Sequence, residues 1–171
     1  MKIIIGFSNS KGLGGVVSWL INLISGSKAS HTFIAFEDVE TGELLVFHSK
    51  GLYTHLIPYK KFVETSNVYK VFSYEINFAQ YIELKTMCFA RIMSGYPFLQ
   101  LLGYWPMLLF NLKKNPLASG DKTTTCSELV AIILFEVLDR ACIDASKYEI
   151  YTPKDLLLMC EEYKDVQNDI S

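Results

Sequence analysis

The stretch HTFIAFEDVETGELLVFH, residues 31–48, predicts a β-hairpin. Two β-rich runs, HTFIAFE and LLVFH, flank the polar, glycine-containing turn DVETG, which is typical of paired antiparallel strands. If His31 and His48 are directly opposite each other, the hairpin folds between Val39 and Glu40, inside that turn. Directly opposed residues point to the same face of a sheet. The stretch therefore predicts two neighbouring histidines at the open end of the hairpin.

This pair of histidines has a chemical use. An imidazole whose neighbour fixes its tautomer and orientation is the base-and-orienter half of a nucleophilic triad. The prediction depends on register, because a slip of one residue would move His48 to the other face. His55 has no predicted partner and is expected at the surface or behind the site. The three histidines show no metal-ligand spacing, so neither a metal nor a cofactor is expected.

The segments around the hairpin predict an α+β fold with a small antiparallel sheet, in one domain covering residues 1–171. Strands are expected first and helices after them, an order typical of this class. The expected strands outside the hairpin are Lys2–Phe7 and the extended segments 51–59 and 67–76. The expected helices are 12–26, closed by Gly26, then 78–95, then a helix beginning near Cys126, and a last one with Thr152 as N-cap and Pro153 at its first position.

Composition excludes several classes of protein. Half of the 171 residues are hydrophobic and 13% are aromatic, which argues against disorder. A net charge of -2 argues against nucleic-acid binding. The four cysteines lack C-x-x-C spacing, so reduced thiols in a cytoplasmic location are expected. The first apolar run is too short for a signal peptide. Residues 96–112 are strongly apolar but interrupted, so they predict no membrane span, although they suit peripheral membrane contact.

Cys126 is the candidate nucleophile. Thr125 and Glu128 fit a capping box, which would place Cys126 in the first turn of an apolar, central helix. The partial positive charge of a helix N-terminus stabilises a thiolate, and free N–H groups there can hold an oxyanion. The alternative is a cysteine that only packs. Packing is the role expected of the other three, Cys88, Cys142 and Cys160.

These residues together resemble a known family. The motifs ASHTFIAF, LLVFHSKGLYTHLIPYKKF, TTTCSELVA and IYTPKDLL resemble the NlpC-type papain-like superfamily in its circularly permuted form, which includes YiiX/YaeF-like and lecithin:retinol acyltransferase-like proteins. The resemblance covers about residues 3–157. It implies a papain-like fold with the histidine before the cysteine. It also implies Cys126 as nucleophile, His31 as general base and acid, His48 as the orienting residue, and Tyr96 at the oxyanion site.

Three functions are compatible with these residues. The first is a thiol hydrolase acting through an acyl-enzyme as an amidase or endopeptidase on a peptide, such as a peptidoglycan stem peptide or an isopeptide. The second is a lipid-directed acyltransferase or esterase, with residues 96–112 lining an acyl pocket. The third is a non-catalytic, papain-like binding module. Both enzyme hypotheses predict an exposed Cys126 near His31, whereas the module permits a buried thiol. A bacterial or phage-borne origin is expected, and the oligomeric state is not predicted.

Overall fold

The chain forms an antiparallel sheet with helices on both faces. The structure, a computed structural model, describes residues 1–12, 15, 18–19, 22–23, 26–50, 53–92, 110, 126–138 and 151–168. Its strands are β1 (Lys2–Ser10), β2 (His31–Glu37), β3 (Leu44–Lys50), β4 (Tyr53–Pro58) and β5 (Ser66–Glu75). Its helices with complete bounds are α1 (Tyr59–Thr65), α2 (Phe78–Arg91), α3 (Cys126–Glu136) and α4 (Pro153–Asn168). The predicted α+β class with an antiparallel sheet is confirmed.

The strand order is β4-β3-β2-β1-β5, and every neighbouring pair is antiparallel. Strand β2, which begins with His31, therefore lies in the middle of the sheet. Its partner β1 places Ser8 directly opposite His31. Strand β1 pairs with β5 on its other side, with a register irregularity between Phe7 and Ser8. No described helix is long and apolar enough to cross a membrane.

The β2–β3 hairpin exists, but its predicted register is wrong by two residues. Ile34 pairs with Phe47 and Glu37 with Leu44. Each residue of β2 therefore pairs two positions further along β3 than predicted, and the midpoint of the hairpin loop moves by one residue. The reason is Gly42, whose φ of +67° is the left-handed conformation that glycine favours at the end of a hairpin loop. A shift of two residues preserves the face of every side chain. His31 and His48 are consequently diagonal neighbours on one face.

Several predicted boundaries also change. Strand β1 runs three residues beyond Phe7, and α2 ends at Arg91 instead of Gly95. Of the helix predicted at 12–26, the described residues 15, 18–19 and 22–23 are helical. Helix α1 was missed because its seven residues carry little periodicity, and Phe62 is its buried residue. Helix α4 begins as predicted, with the Thr152 hydroxyl accepting a hydrogen bond from the Asp155 N–H.

The two faces of the sheet carry separate apolar cores. Helices α2, α3 and α4 pack on one face, which we call the three-helix face, against side chains such as Ile34 and Phe47. The opposite face, which we call the α1 face, packs Phe33, Ala35 and Val46 against Phe62. Alternation along a strand explains the division, since Phe33 and Ile34 are consecutive. Both faces of β2 are thus covered.

Gly6 shows how closely the α1 face is packed. Gly6 pairs with Phe33 across β1 and β2, and a Cβ atom built on Gly6 would lie 2.0 Å from the Phe33 ring. No side chain can approach so closely, so the ring occupies the space that a Cβ would fill. The Phe33 ring in turn lies 4.5 Å from that of Phe62, measured between centroids. A larger residue at position 6 would therefore displace the Phe33 ring from this core.

The loop of the β2–β3 hairpin is attached to α2 through Asp38. This carboxylate accepts hydrogen bonds from Lys85 Nζ at 2.7 Å and from the Tyr81 hydroxyl at 3.3 Å, both on α2, and from Thr41 Oγ1 within the loop. The Lys85 ammonium, then Thr41, holds the pKa of Asp38 below its ordinary value of 3.8. The same pairing raises the pKa of Lys85.

These shifts predict a pH-dependent contribution to stability. Because the folded pKa of Asp38 is depressed, its contribution is present above the unfolded value of 3.8 and is lost as the pH falls through the folded value. We expect Asp38→Asn to lower the thermal unfolding midpoint at neutral pH, and the deficit to shrink at about pH 3. Circular dichroism melts at both pH values test this. Glu40→Gln is the matched control, because Glu40 is 80% exposed and 3.9 Å from Lys85. An Asp38→Asn deficit that is equal at both pH values would contradict the assignment.

Candidate active site

His31 and His48 meet on the α1 face. His31 Nε2 lies 3.2 Å from His48 Nδ1, and the ring centroids are 5.4 Å apart in an edge-to-face arrangement. One of these nitrogens donates and the other accepts, according to the tautomers. His48 is buried, and its ring packs edge-on at 5.0 Å against Phe62. The structure thus brings together the two histidines that the sequence paired, through a diagonal contact.

His55 extends this pair into a row. It lies directly opposite His48 in the β3–β4 register, with ring centroids 6.0 Å apart. The sequence analysis assigned it no partner. A signal was present, because HSKGLYTH is arranged symmetrically about Gly51 and Leu52. A hairpin centred at that point of the sequence would pair His48 with His55.

Cys126 is the first residue of α3, as predicted. However, the expectation of an exposed thiol is wrong, because the residue is 5% exposed. Burial raises the pKa of the Cys126 thiol. The backbone N–H and hydroxyl of Thr32 offset part of this pKa rise, followed by the N–H groups of Ser127 and Cys126 itself. Helix-start amides do face the sulfur, but desolvation is the larger effect.

The thiol approaches β2 at its first peptide bond. The Thr32 N–H that faces Cys126 belongs to the peptide joining His31 to Thr32. Consecutive strand residues point to opposite faces, so Thr32 lies on the three-helix face with α3, whereas His31 lies on the α1 face. The described contacts of the thiol are with Thr32 and the helix amides, and that of the His31 ring is with His48. Cys126 thus lies against the first peptide bond of β2 on the three-helix face, whereas the His31–His48 pair lies on the α1 face.

A polar cluster that the sequence analysis missed surrounds this end of β2. We define it as Asn9, Ser18, Asn22 and Ser30. Asn9 Oδ1 accepts hydrogen bonds from Asn22 Nδ2 at 2.9 Å and from the Ser30 N–H at 3.0 Å. The Ser30 hydroxyl donates to Ser18 Oγ at 2.7 Å. Asn22 Oδ1 is buried and has no partner among the described residues. The only available sequence signal was the density of serine and asparagine on both sides of the helical segment.

Tyr96, Thr125 and Cys142 lie outside the described residues, as do residues 96–112 apart from Phe110, which is 71% exposed. Cys88 and Cys160 are buried, in agreement with packing roles. Within the described ranges, no three His, Cys, Asp or Glu side chains are grouped as metal ligands.

Comparison with known proteins adds no assignment. No protein-family model matches the chain, and no curated protein matches it in sequence. The resemblance to permuted papain-like proteins therefore rests on the sequence motifs.

Proposed function

We propose that this protein is a thiol hydrolase of the permuted papain-like type, with Cys126 as nucleophile, His31 as base and acid, and His48 as the orienting residue. The observation that carries the proposal is that Cys126 lies against the first peptide bond of β2, the strand that begins with His31. Cys126 contacts the peptide that follows His31, and His31 Nε2 lies 3.2 Å from His48 Nδ1. A nucleophile, a base and an orienter in this order are the components of a triad.

The histidine contact determines which nitrogen does the chemistry. Because His31 Nε2 faces His48, Nδ1 is the nitrogen that exchanges a proton with the thiol. A neutral His48 accepting at Nδ1 would orient the His31 ring. Proton exchange between His31 and the thiol would take place around the first residue of β2, because the His31 ring lies on the α1 face and Cys126 on the three-helix face.

The reaction follows from these roles. His31 Nδ1 takes the Sγ proton, and the thiolate attacks the carbonyl carbon of an amide or ester. The oxyanion accepts hydrogen bonds from N–H groups at the start of α3. His31 then protonates the leaving group, and water, deprotonated by His31, releases the acid from the acyl-enzyme. These steps require no cofactor.

A peptide is the substrate that we propose, either a peptidoglycan stem peptide or an isopeptide. The Asn22 Oδ1 atom of the polar cluster, which has no partner among the described residues, supports this choice, because an amide acceptor beside the catalytic strand suits a substrate rich in N–H donors. The alternative is a lipid acyl chain, for which the 71% exposure of Phe110 within the apolar window is the supporting observation.

A non-catalytic binding module is the second candidate function. The burial of Cys126 favours it, because a 5% exposed thiol whose pKa is raised by desolvation is the usual state of a packing cysteine. The two candidates differ in whether any acyl group is ever found on Cys126.

Detection of the acyl-enzyme tests the proposal. The wild type is incubated with peptidoglycan stem peptides, an isopeptide-linked peptide and a long-chain acyl ester, and the products and protein adducts are analysed by mass spectrometry. We expect peptide cleavage and a transient adduct on Cys126, both absent in Cys126→Ala. Turnover of the acyl ester alone would select the lipid alternative. Absence of turnover and adduct with all three substrates would favour the binding module.

A further inference from the structure

Thr32 carries a buried hydroxyl that the fold leaves unsatisfied. The residue is 1% exposed, and its Oγ1 has no hydrogen-bond partner among the described residues. Most buried hydroxyl groups are paired, since an unpaired one lowers stability. An exception in the middle strand of the sheet therefore requires a reason. Packing does not supply one, because valine has nearly the same shape and no polar atom.

The neighbour of this hydroxyl is the sulfur of Cys126. Thr32 points to the three-helix face, where α3 begins, and both its N–H and its hydroxyl lie close enough to the sulfur to favour a negative charge there. In the neutral thiol the hydroxyl is not in hydrogen-bond geometry. A thiolate is a stronger acceptor than a thiol and would draw this donor into a charge-assisted hydrogen bond.

We propose that Thr32 is a further catalytic residue, whose hydroxyl and backbone N–H both donate hydrogen bonds to the Cys126 thiolate. The inference rests on the proposed thiol chemistry. When His31 Nδ1 takes the proton, the S–H bond breaks and an N–H bond forms, while the Thr32 hydroxyl keeps its own proton and donates it to the sulfur. The hydroxyl thus gains its missing partner in the charged state alone.

The threonine side chain suits this role better than serine in one respect. Its branched Cβ restricts χ1, so burial holds the hydroxyl near the sulfur. Ser8 provides a contrast, because its hydroxyl is also buried and unpartnered among the described residues but lies opposite His31 on the α1 face. The two hydroxyls therefore lie on opposite faces of the sheet, and only that of Thr32 faces the thiol.

The test compares Thr32→Val, Thr32→Ser and the wild type. The rate of Cys126 alkylation by iodoacetamide is measured against pH and resolved by mass spectrometry, with Cys88 and Cys160 as internal controls. We expect Thr32→Val to move the midpoint of the Cys126 profile upward by about one pH unit, equivalent to a tenfold loss of thiolate. Thr32→Ser should keep the midpoint close to that of the wild type. Thr32→Val should also unfold at a higher temperature, because it removes an unsatisfied buried group.

A purely structural Thr32 would give a different result. An unchanged midpoint in Thr32→Val overturns the inference, as does an equal shift in Thr32→Val and Thr32→Ser. A failure of the Thr32 inference can be distinguished from a failure of the proposed function. If the wild-type midpoint is high and independent of His31, the Cys–His pair fails. The Thr32 inference then still stands or falls on the difference between Thr32→Val and wild type.

Discussion

Replacing His31 with alanine is expected to slow the alkylation of Cys126 by iodoacetamide about a hundredfold at about pH 6.5. Free cysteine, with an ordinary pKa of about 8.5, is only about 1% ionised at that pH, and burial raises the pKa of this thiol further. The reason is specific to this site. Burial already opposes the thiolate of Cys126, so a positive charge on His31 is needed to overcome it. Rates at Cys126 are read by mass spectrometry.

His55→Ala is the matched control for this substitution. His55 is also a partly buried histidine of the same sheet, but it faces His48 from β4, on the side away from β2. We expect only a small change in the Cys126 rate. Equal effects of His31→Ala and His55→Ala would indicate a general electrostatic or structural effect in place of a Cys–His pair.

Replacing Phe62 with alanine is expected to lower the free energy of unfolding by about 3–5 kcal/mol, the usual cost of truncating a fully buried phenylalanine. Phe62 is 0% exposed. Its ring packs against Phe33 at 4.5 Å and against His48 at 5.0 Å, both measured between centroids. The cavity would therefore form directly beneath the orienting histidine. Urea unfolding measures the loss.

Phe62→Leu serves as the control for the shape of this core, with an expected loss below about 1.5 kcal/mol, because it retains most of the apolar volume. A loss below about 1 kcal/mol in Phe62→Ala would mean that α1 does not close the α1 face. In that case His48 would lack the packing that we invoke for its orientation.

The parts of the fold that were predictable depended on local patterns. The hairpin runs of β2 and β3 were recognisable from their composition, and Thr152 with Pro153 marked the start of α4. Helix α1 was not recognisable, because seven residues with one buried side chain give no clear period. The end of α2 was misplaced because the apolar pattern runs past Arg91 to a glycine.

The candidate site residues could be selected from the sequence, whereas their contacts and burial could be predicted only in part. Residue type and position in an element were enough to select Cys126, His31 and His48. The register error came from the turn, because composition alone did not show that Gly42 closes the loop. The burial of Cys126 could not be foreseen, since it depends on how α3 packs against β2. The same holds for Thr32, whose importance appears only where strand and helix meet.

The pH dependence of Cys126 alkylation in the wild type is the most direct test of the thiolate–imidazolium pair on which the proposed chemistry depends. A Cys126–His31 ion pair gives a rate that rises with a midpoint well below the value of about 8.5 for free cysteine and then stays level. A thiol governed by burial alone reacts only above that value. The first profile is the expected one, and the second would contradict the hydrolase proposal and favour a binding module.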